Sequence, residues 1–260
     1  MRVLSNSQRP MGVSELSQVL GVGKSTVHLL LKTLAGEDFV ERAPGSSKYR
    51  LGLGLFEMGA AAVEQVGYGL RLSPAMERLA NESGEAVSLA VQSGESVIVL
   101  QRFESVHVLR TDIHPGTRMP LYASASGKVL LADMPEEAID ALYPSEELPP
   151  VANGTVRAKS DLKNQLDRVR KCGWATSTDE YVDGVAATAA AVRDHTGRVV
   201  AALSIAGPTT RFDVEHWSDR LLEVALEISK ILGHHPRYAV PSGGPVLSTR
   251  TGLDEALLAE

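Results

Sequence analysis

Residues 13–34 hold this chain to a narrow choice of folds. Val13, Leu16, Val19 and Leu20 recur at helical spacing, and Val27, Leu30, Leu31 and Leu34 repeat at i, i+3, i+4, i+7. Between the two runs stand Gly21 and Gly23, which permit a sharp turn between helices crossing at a steep angle. Two short amphipathic helices and a three-residue turn make either an ordinary helical hairpin with a solvated basic face or a helix-turn-helix. Ser25 and Thr26 open the second helix, where hydroxyls cap free N–H groups or donate to phosphate. Lys24, His28 and Lys32 follow four apart. An apolar face behind short polar and cationic residues suits the major groove. Leu29 lies off the buried face, as a contact for a thymine methyl or as an idle or interface leucine. With Ser14 these residues are the candidate groove contacts.

The next stretch separates the two readings. Asp38–Arg42, a Gly45-Ser-Ser turn and Lys48–Leu51 spell a short β-hairpin. Phe39, Val40, Tyr49 and Leu51 are expected to pack on the helices, leaving Arg42, Ser47, Lys48 and Arg50 outward as a wing along the phosphate backbone.

The formal charge of −6 over 260 residues argues against nucleic acid until its distribution is read. Residues 1–56 hold seven Lys/Arg against four acids, net +3, which leaves 19 against 28, net −9, for the remainder. A small basic module on an acidic body fits a DNA reader with a separate sensor. A single cysteine, Cys172, excludes an internal disulfide and a cysteine-rich zinc site. No run reaches ~18 unbroken apolar residues, and the N-terminus lacks the apolar core of a signal peptide. No membrane association is expected, and the cytoplasm is the expected compartment.

Arg2-Val-Leu4 reads as the end of an unusually short first helix. Gly52–Val66 reads as a helix that is apolar nearly all round; Leu55, Phe56, Met58, Ala62 and Val66 are expected to bury against a second copy of the chain. Pro74 opens a helix ended by Gly84. Strands are expected at Ala86–Gln92, Ser96–Phe103 and Val106–Ile113, then helices at Ser124–Ala132 and Pro135–Leu142, and an irregular Pro144–Asn153. A helix from Ser160 ends at Gly173, strands follow at Trp174–Thr178, Ala187–Arg193 and Val199–Ala206, and Asp213–Leu232 reads as a long helix. The Pro/Gly/Ser-rich remainder reads as a tail with a short helix at Leu253–Leu258. Hairpins of strands with intervening helices imply an α+β fold on an antiparallel sheet.

Six stretches carry a family resemblance: Gly23-Lys-Ser-Thr-Val-His28, Tyr49-Arg-Leu-Gly52, Pro120–Ala132, Arg170–Trp174, Asp179-Glu-Tyr181 and Ala201–Pro208. In this order and spacing, over roughly residues 2 to 233, the chain resembles the IclR family of bacterial transcriptional regulators. The resemblance implies a winged helix-turn-helix at 1–52, a linker helix at 53–69, a GAF-like effector-binding domain at 70–233 and a tail at 234–260. It implies homodimers, often paired into homotetramers, and control of catabolic operons by small organic acids or aromatic compounds. Many members carry arginine where this chain has Leu29, cysteine where it has Ala187, and a second serine where it has Ala206 in Ser204-Ile-Ala206. The two alanines predict fewer polar pocket groups and a larger, partly apolar effector.

The expected effector site is built on Met119, Leu121, Ala123, Ser124, Ala125, Ser126, Asp179, Val185, Ala187, Ser204 and Ala206. Free amides at the start of the Ser124 helix would take a carboxylate head. Enzyme chemistry finds little support. Ser124 and Ser126 near Lys128 hint at a Ser–Lys nucleophile, but at a helix start serine caps and the lysine is expected in solvent. Tyr122 stands where a phosphate loop needs glycine, and the histidines lack metal-ligand spacing. The expected function is therefore a regulator, repression its expected sense, that binds double-stranded operator DNA under control of a small organic acid, with no cofactor, metal or catalytic residue. The alternative is an enzyme on the C-terminal domain with a vestigial N-terminal module.

Overall fold

A computed structural model describes residues 1–7, 9–65, 68–69, 71–107 and 113–235. Helices α1 (Arg2–Ser5), α2 (Val13–Leu20) and α3 (Lys24–Gly36) precede strands β1 (Val40–Arg42) and β2 (Tyr49–Leu51). Gly21, in the left-handed region at φ 65°, ends α2, and its N–H donates to the Ser17 carbonyl. Val27, Leu31 and Leu16 form the centre of a small core with Leu4, Met11, Val40 and Tyr49. One expected feature differs. Val19, Leu20 and Leu30 are exposed, because α1 is one turn long and brings only Val3 and Leu4 to this core. Strands β1 and β2 pair antiparallel with Val40 opposite Leu51 and Arg42 opposite Tyr49. A Cβ on Gly52 would lie 2.1 Å from the Asp38 carbonyl oxygen, so glycine is required where the chain leaves the wing for α4 (Gly54–Gln65).

The larger unit is an antiparallel sheet with helices on both faces. Its order is β5-β4-β3-β8-β7-β6, from β3 (Ala86–Ser93), β4 (Ser96–Phe103), β5 (Arg118–Pro120), β6 (Trp174–Thr178), β7 (Val185–Arg193) and β8 (Val199–Pro208). Helices α5 (Ser73–Ser83) and α9 (Ser218–Ile231) cover one face through Met76, Leu79, Leu221 and Ile228, against Val87, Leu89, Leu203 and Ile205. Helices α6 (Ala125–Ala132), α7 (Glu136–Leu142) and α8 (Lys159–Cys172) cover the other through Val129, Leu131, Leu162 and Leu166. Strand β7 is mostly alanine, a residue usually depleted in strands. Gly184 and the Asp194–Gly197 turn bound it, and its small side chains let α6 sit close.

The expected third strand, Val106–Ile113, lies mostly outside the described residues. Its described ends, Val106, His107 and Ile113, are in no strand, and among the described residues the edge strand on that side is β5. Helix α9 starts at Ser218, not Asp213, because the Asp213 carboxylate accepts the Glu215 and His216 N–H groups in a turn. Helix α8 is capped at its start by no side chain; the Ser160 hydroxyl instead donates to Glu146. The tail beyond 235, with the expected helix at Leu253–Leu258, lies outside the described residues, as does Val66.

Lys128 overturns an expectation. It is 2% exposed, because α6 is buried on every side from Ala125 to Leu131. Its Nζ donates to Glu180 Oε1 at 2.5 Å and to the Thr176 carbonyl at 3.1 Å. Burial pulls the Lys128 ammonium below its ordinary value and pushes the Glu180 carboxyl up, against their mutual attraction.

Candidate DNA interface and effector cavity

The eleven candidate DNA contacts are all exposed. Lys24, Ser25, Thr26, His28, Leu29 and Lys32 lie on α3, Ser14 at the start of α2, and Arg42, Ser47, Lys48 and Arg50 on the wing. Gly23 is the N-cap of α3 and no side chain caps it, so the Ser25 and Thr26 hydroxyls are not used as caps. The wing cations have neighbours of their own. Arg50 Nε meets Glu41 Oε1 at 2.6 Å, Lys48 Nζ stands 3.8 Å from Glu15, and the Arg42 guanidinium sits 5.7 Å from the Tyr49 ring centre. Exposed pairs of this kind are worth about 0–1 kcal/mol, so a phosphate displaces them cheaply.

Eight of the eleven candidate effector residues line one cavity between the start of α6 and the sheet: Met119, Ser124, Ala125, Ser126, Val185, Ala187, Ser204 and Ala206. Leu121 and Ala123 are fully buried core residues outside its wall. Asp179 is outside it too. In the left-handed region at φ 56°, it accepts the Gly184 N–H and shapes the β6–β7 turn. Its neighbours divide the remaining work: Glu180 holds Lys128, and Tyr181, with Val182, walls the cavity while its hydroxyl donates to the Arg118 carbonyl.

The cavity is more polar than Ala187 and Ala206 suggest. Ser88, Ser177 and Arg102 also line it, so five serines and an arginine face Ala90, Val99 and Ile113. The start of α6 is less open than expected, since Ser124 Oγ accepts the Gly127 N–H at 3.1 Å and donates to the Pro120 carbonyl. A Cβ on Gly127 would fall 2.1 Å from the Leu121 carbonyl oxygen, so glycine lets α6 seat against the turn that precedes it. The free volume is about 50 Å³, well below the roughly 300–1,000 Å³ of a pocket holding a small molecule. Entry of a ring therefore requires side chains of the wall to move.

Alternation along β4 explains why Arg102 escapes a sequence reading. Val97 and Val99 point to the α6 face, which assigns Gln101 to that face and Arg102 away from it. A bulge intervenes: Leu89 pairs with Gln101 but Ala90 with Val99. Leu100 and Gln101 then both face α5, where Gln101 Nε2 donates to Ser73 Oγ, and Arg102 turns into the cavity.

Comparison with known proteins agrees with this architecture. The family model of the bacterial transcriptional regulator IclR C-terminal domain matches residues 61–232, and that of the IclR helix-turn-helix domain matches residues 1–44. The chain is 32% identical over 240 residues to the HTH-type transcriptional repressor AllR of Klebsiella pneumoniae, covering 91% of this chain and 88% of that one. It is 32% identical over 231 residues to the HTH-type transcriptional regulator KdgR of Escherichia coli, covering 88% of each. Among solved structures, an IclR homologue from Microbacterium hydrocarbonoxydans complexed with 4-hydroxybenzoate superposes with a TM-score of 0.78 at 27% identity, over 87% of this chain and 93% of that one. The Thermotoga maritima IclR superposes with a TM-score of 0.73 at 27% identity, over 89% and 94%. With both its helix-turn-helix and its helix-covered sheet matched, the chain belongs to the IclR family of bacterial transcriptional regulators.

Proposed function

We infer that this regulator is a repressor, that it binds operator DNA as a dimer or larger assembly, and that a small monocarboxylate with a ring or short apolar body controls it from the α6 cavity. The observation that carries this reading is the cavity wall, in which one arginine and five serines stand among methionine, valine, isoleucine and alanine. Polar groups of that number fix the orientation of a small acid, and the apolar ones accept its body. The 4-hydroxybenzoate bound by the Microbacterium homologue is an acid of this kind. A ligand shifts the protein only by its differential affinity for two arrangements. The tight cavity supplies such a difference, since filling it requires side chains of its wall to move. On this reading the regulator meets its operator in the cytoplasm.

The enzyme alternative has less in its favour. The Lys128 amine that a Ser–Lys nucleophile would need is spent on Glu180 and the Thr176 carbonyl.

Assembly is tested on α4. Phe56 is 75% exposed, Met58 58% and Leu53 76%, and Ala62 is exposed beside them, while Leu55 is half-buried. An apolar stripe of this size calls for a partner, and a second copy of the same helix provides one. Phe56→Glu is expected to shift sedimentation from dimer or tetramer toward monomer and to weaken operator binding through lost bivalency. A wild type that sediments as a monomer at micromolar concentration would refute this assembly.

A further inference from the structure

We propose that the cleft between α4, the β3–β4 hairpin and the start of β8 is a second ligand site, one that takes an uncharged aromatic molecule carrying a hydroxyl donor. The inference does not depend on the α6 cavity being the effector site.

Three observations carry it. First, the space is already formed. Val63 of α4, Tyr68, Val91 of β3, Leu100 of β4, Met134 and Val200 of β8 surround about 470 Å³, within the roughly 300–1,000 Å³ of a pocket holding a small molecule. A two-ring body fits there without the movement of the wall that the α6 cavity demands. Second, the wall is apolar apart from Gln92, Asp133 and the Tyr68 hydroxyl, and it offers acceptors. The Tyr68 O–H donates to the Val200 carbonyl at 3.2 Å, which leaves its oxygen to accept. Asp133 Oδ1 accepts from Arg193 Nη1 at 3.0 Å and Oδ2 from the Val199 N–H at 3.2 Å. Those bonds fix the carboxylate in the wall, and each oxygen keeps a second lone pair for a ligand O–H. Third, charge sorts the ligand. Among the described residues, Asp133 is the one charged side chain of the wall, and its partner Arg193 is not part of it. A carboxylate head would meet a carboxylate with no cation in the wall, the reverse of the α6 cavity with its arginine and five serines.

The place of the cleft gives such a ligand a consequence. Phe56 and Met58, the exposed stripe of α4, are not in its wall, so a second copy seated on that stripe does not have to fill it. Through Val63 the ligand touches the helix that leads from the DNA module to the sheet, so its binding bears on where that module stands.

The test is equilibrium dialysis of the full-length protein with 2-naphthol, its methyl ether and 2-naphthoate, which share one ring body and differ in the head. Wild type and Ala187→Trp are expected to bind 2-naphthol within a few-fold of each other, because the cleft is separate from the α6 cavity. Met134→Trp, which fills the cleft, is expected to weaken 2-naphthol at least tenfold. Thermal melts check folding; should Met134→Trp fail, Val63→Trp, from the opposite wall, decides in its place. The heads are compared in Ala187→Trp, where no acid can enter the α6 cavity. There 2-naphthol is expected to bind about three- to tenfold more tightly than the ether, the range of one neutral hydrogen bond. It is expected to exceed 2-naphthoate by more, and Asp133→Asn should narrow that second gap. Binding of 2-naphthol that survives in the cleft-filling variant, or that Ala187→Trp abolishes, would overturn the inference. So would a preference for 2-naphthoate in Ala187→Trp, or a wild type that binds no 2-naphthol. None of these results bears on whether acids act through the α6 cavity, so the two readings fail separately.

Discussion

Raising monovalent salt from about 50 to about 200 mM should weaken operator binding by roughly three orders of magnitude. A dimer that neutralises about six phosphates gives a slope near −5 for log K against log salt, and a fourfold change in salt raised to that power is about a thousandfold. The effect arises from a small unit, because the net +3 of residues 1–56 is set against −9 elsewhere. Lys48→Ala should weaken binding to every sequence alike and flatten the slope by about one for each protomer, since a wing lysine reads phosphate and not bases. Thr26→Ala and His28→Ala, on the exposed face of α3, should instead change which sequences bind. Fluorescence anisotropy over a salt series measures both. Binding indifferent to salt and to all three substitutions would rule out the winged-helix interface.

Lys128→Ala should destabilise the C-terminal domain by about 3–5 kcal/mol. The substitution strands the Glu180 carboxylate, whose Oε2 is already buried without a hydrogen-bond partner among the described residues. The loss should depend on pH in a defined direction. Burial raises the Glu180 carboxyl above its ordinary value, and without the ammonium it rises further. A folded-state value above the unfolded one means the folded variant binds the proton more tightly. Its penalty is therefore full above the folded value and is relieved as pH falls toward the ordinary carboxylate range. Denaturant melts of Lys128→Ala and wild type at pH 8 and pH 5 should show the gap narrowing at pH 5. Replacing both partners by apolar residues, as in Lys128→Met with Glu180→Leu, should recover most of the loss, because no charge is left stranded. A single variant as stable as wild type at pH 8 would contradict this account of the pair.

Local signals in the sequence carried far along this chain, and distant partners marked where they stopped. The spacing of Val27 and Leu31 places the buried face of α3, and Gly84 and Gly173 end their helices as left-handed caps at φ 67° and 84°. Strand β6 falls at Trp174–Thr178 as its pattern predicts. Lys128 is different: its partner lies 52 residues away, so nothing within its own helix shows that it faces inward. Arg102 is hidden by a single extra residue in β4, which reverses the side-chain alternation beyond it. Leu30 follows the helical period, but period alone cannot show that no neighbouring element covers it. At the candidate cavity, Ser124–Ser126, Ala187 and Ser204 were legible from family motifs; Ser88, Ser177 and Arg102 come from strands whose facing is settled only once the sheet is assembled.

The coupling of cavity to DNA is tested most directly by anisotropy on a duplex from the region upstream of the gene, with wild type and Ala187→Trp, each with and without benzoate, 4-hydroxybenzoate and pyruvate. An indole at position 187 occupies the wall of a cavity of about 50 Å³ and leaves no room for a ligand. The account predicts that wild type binds the duplex and changes affinity with at least one acid, while Ala187→Trp binds the duplex equally well and ignores every acid. An Ala187→Trp protein that responds to the acid as wild type does would contradict it.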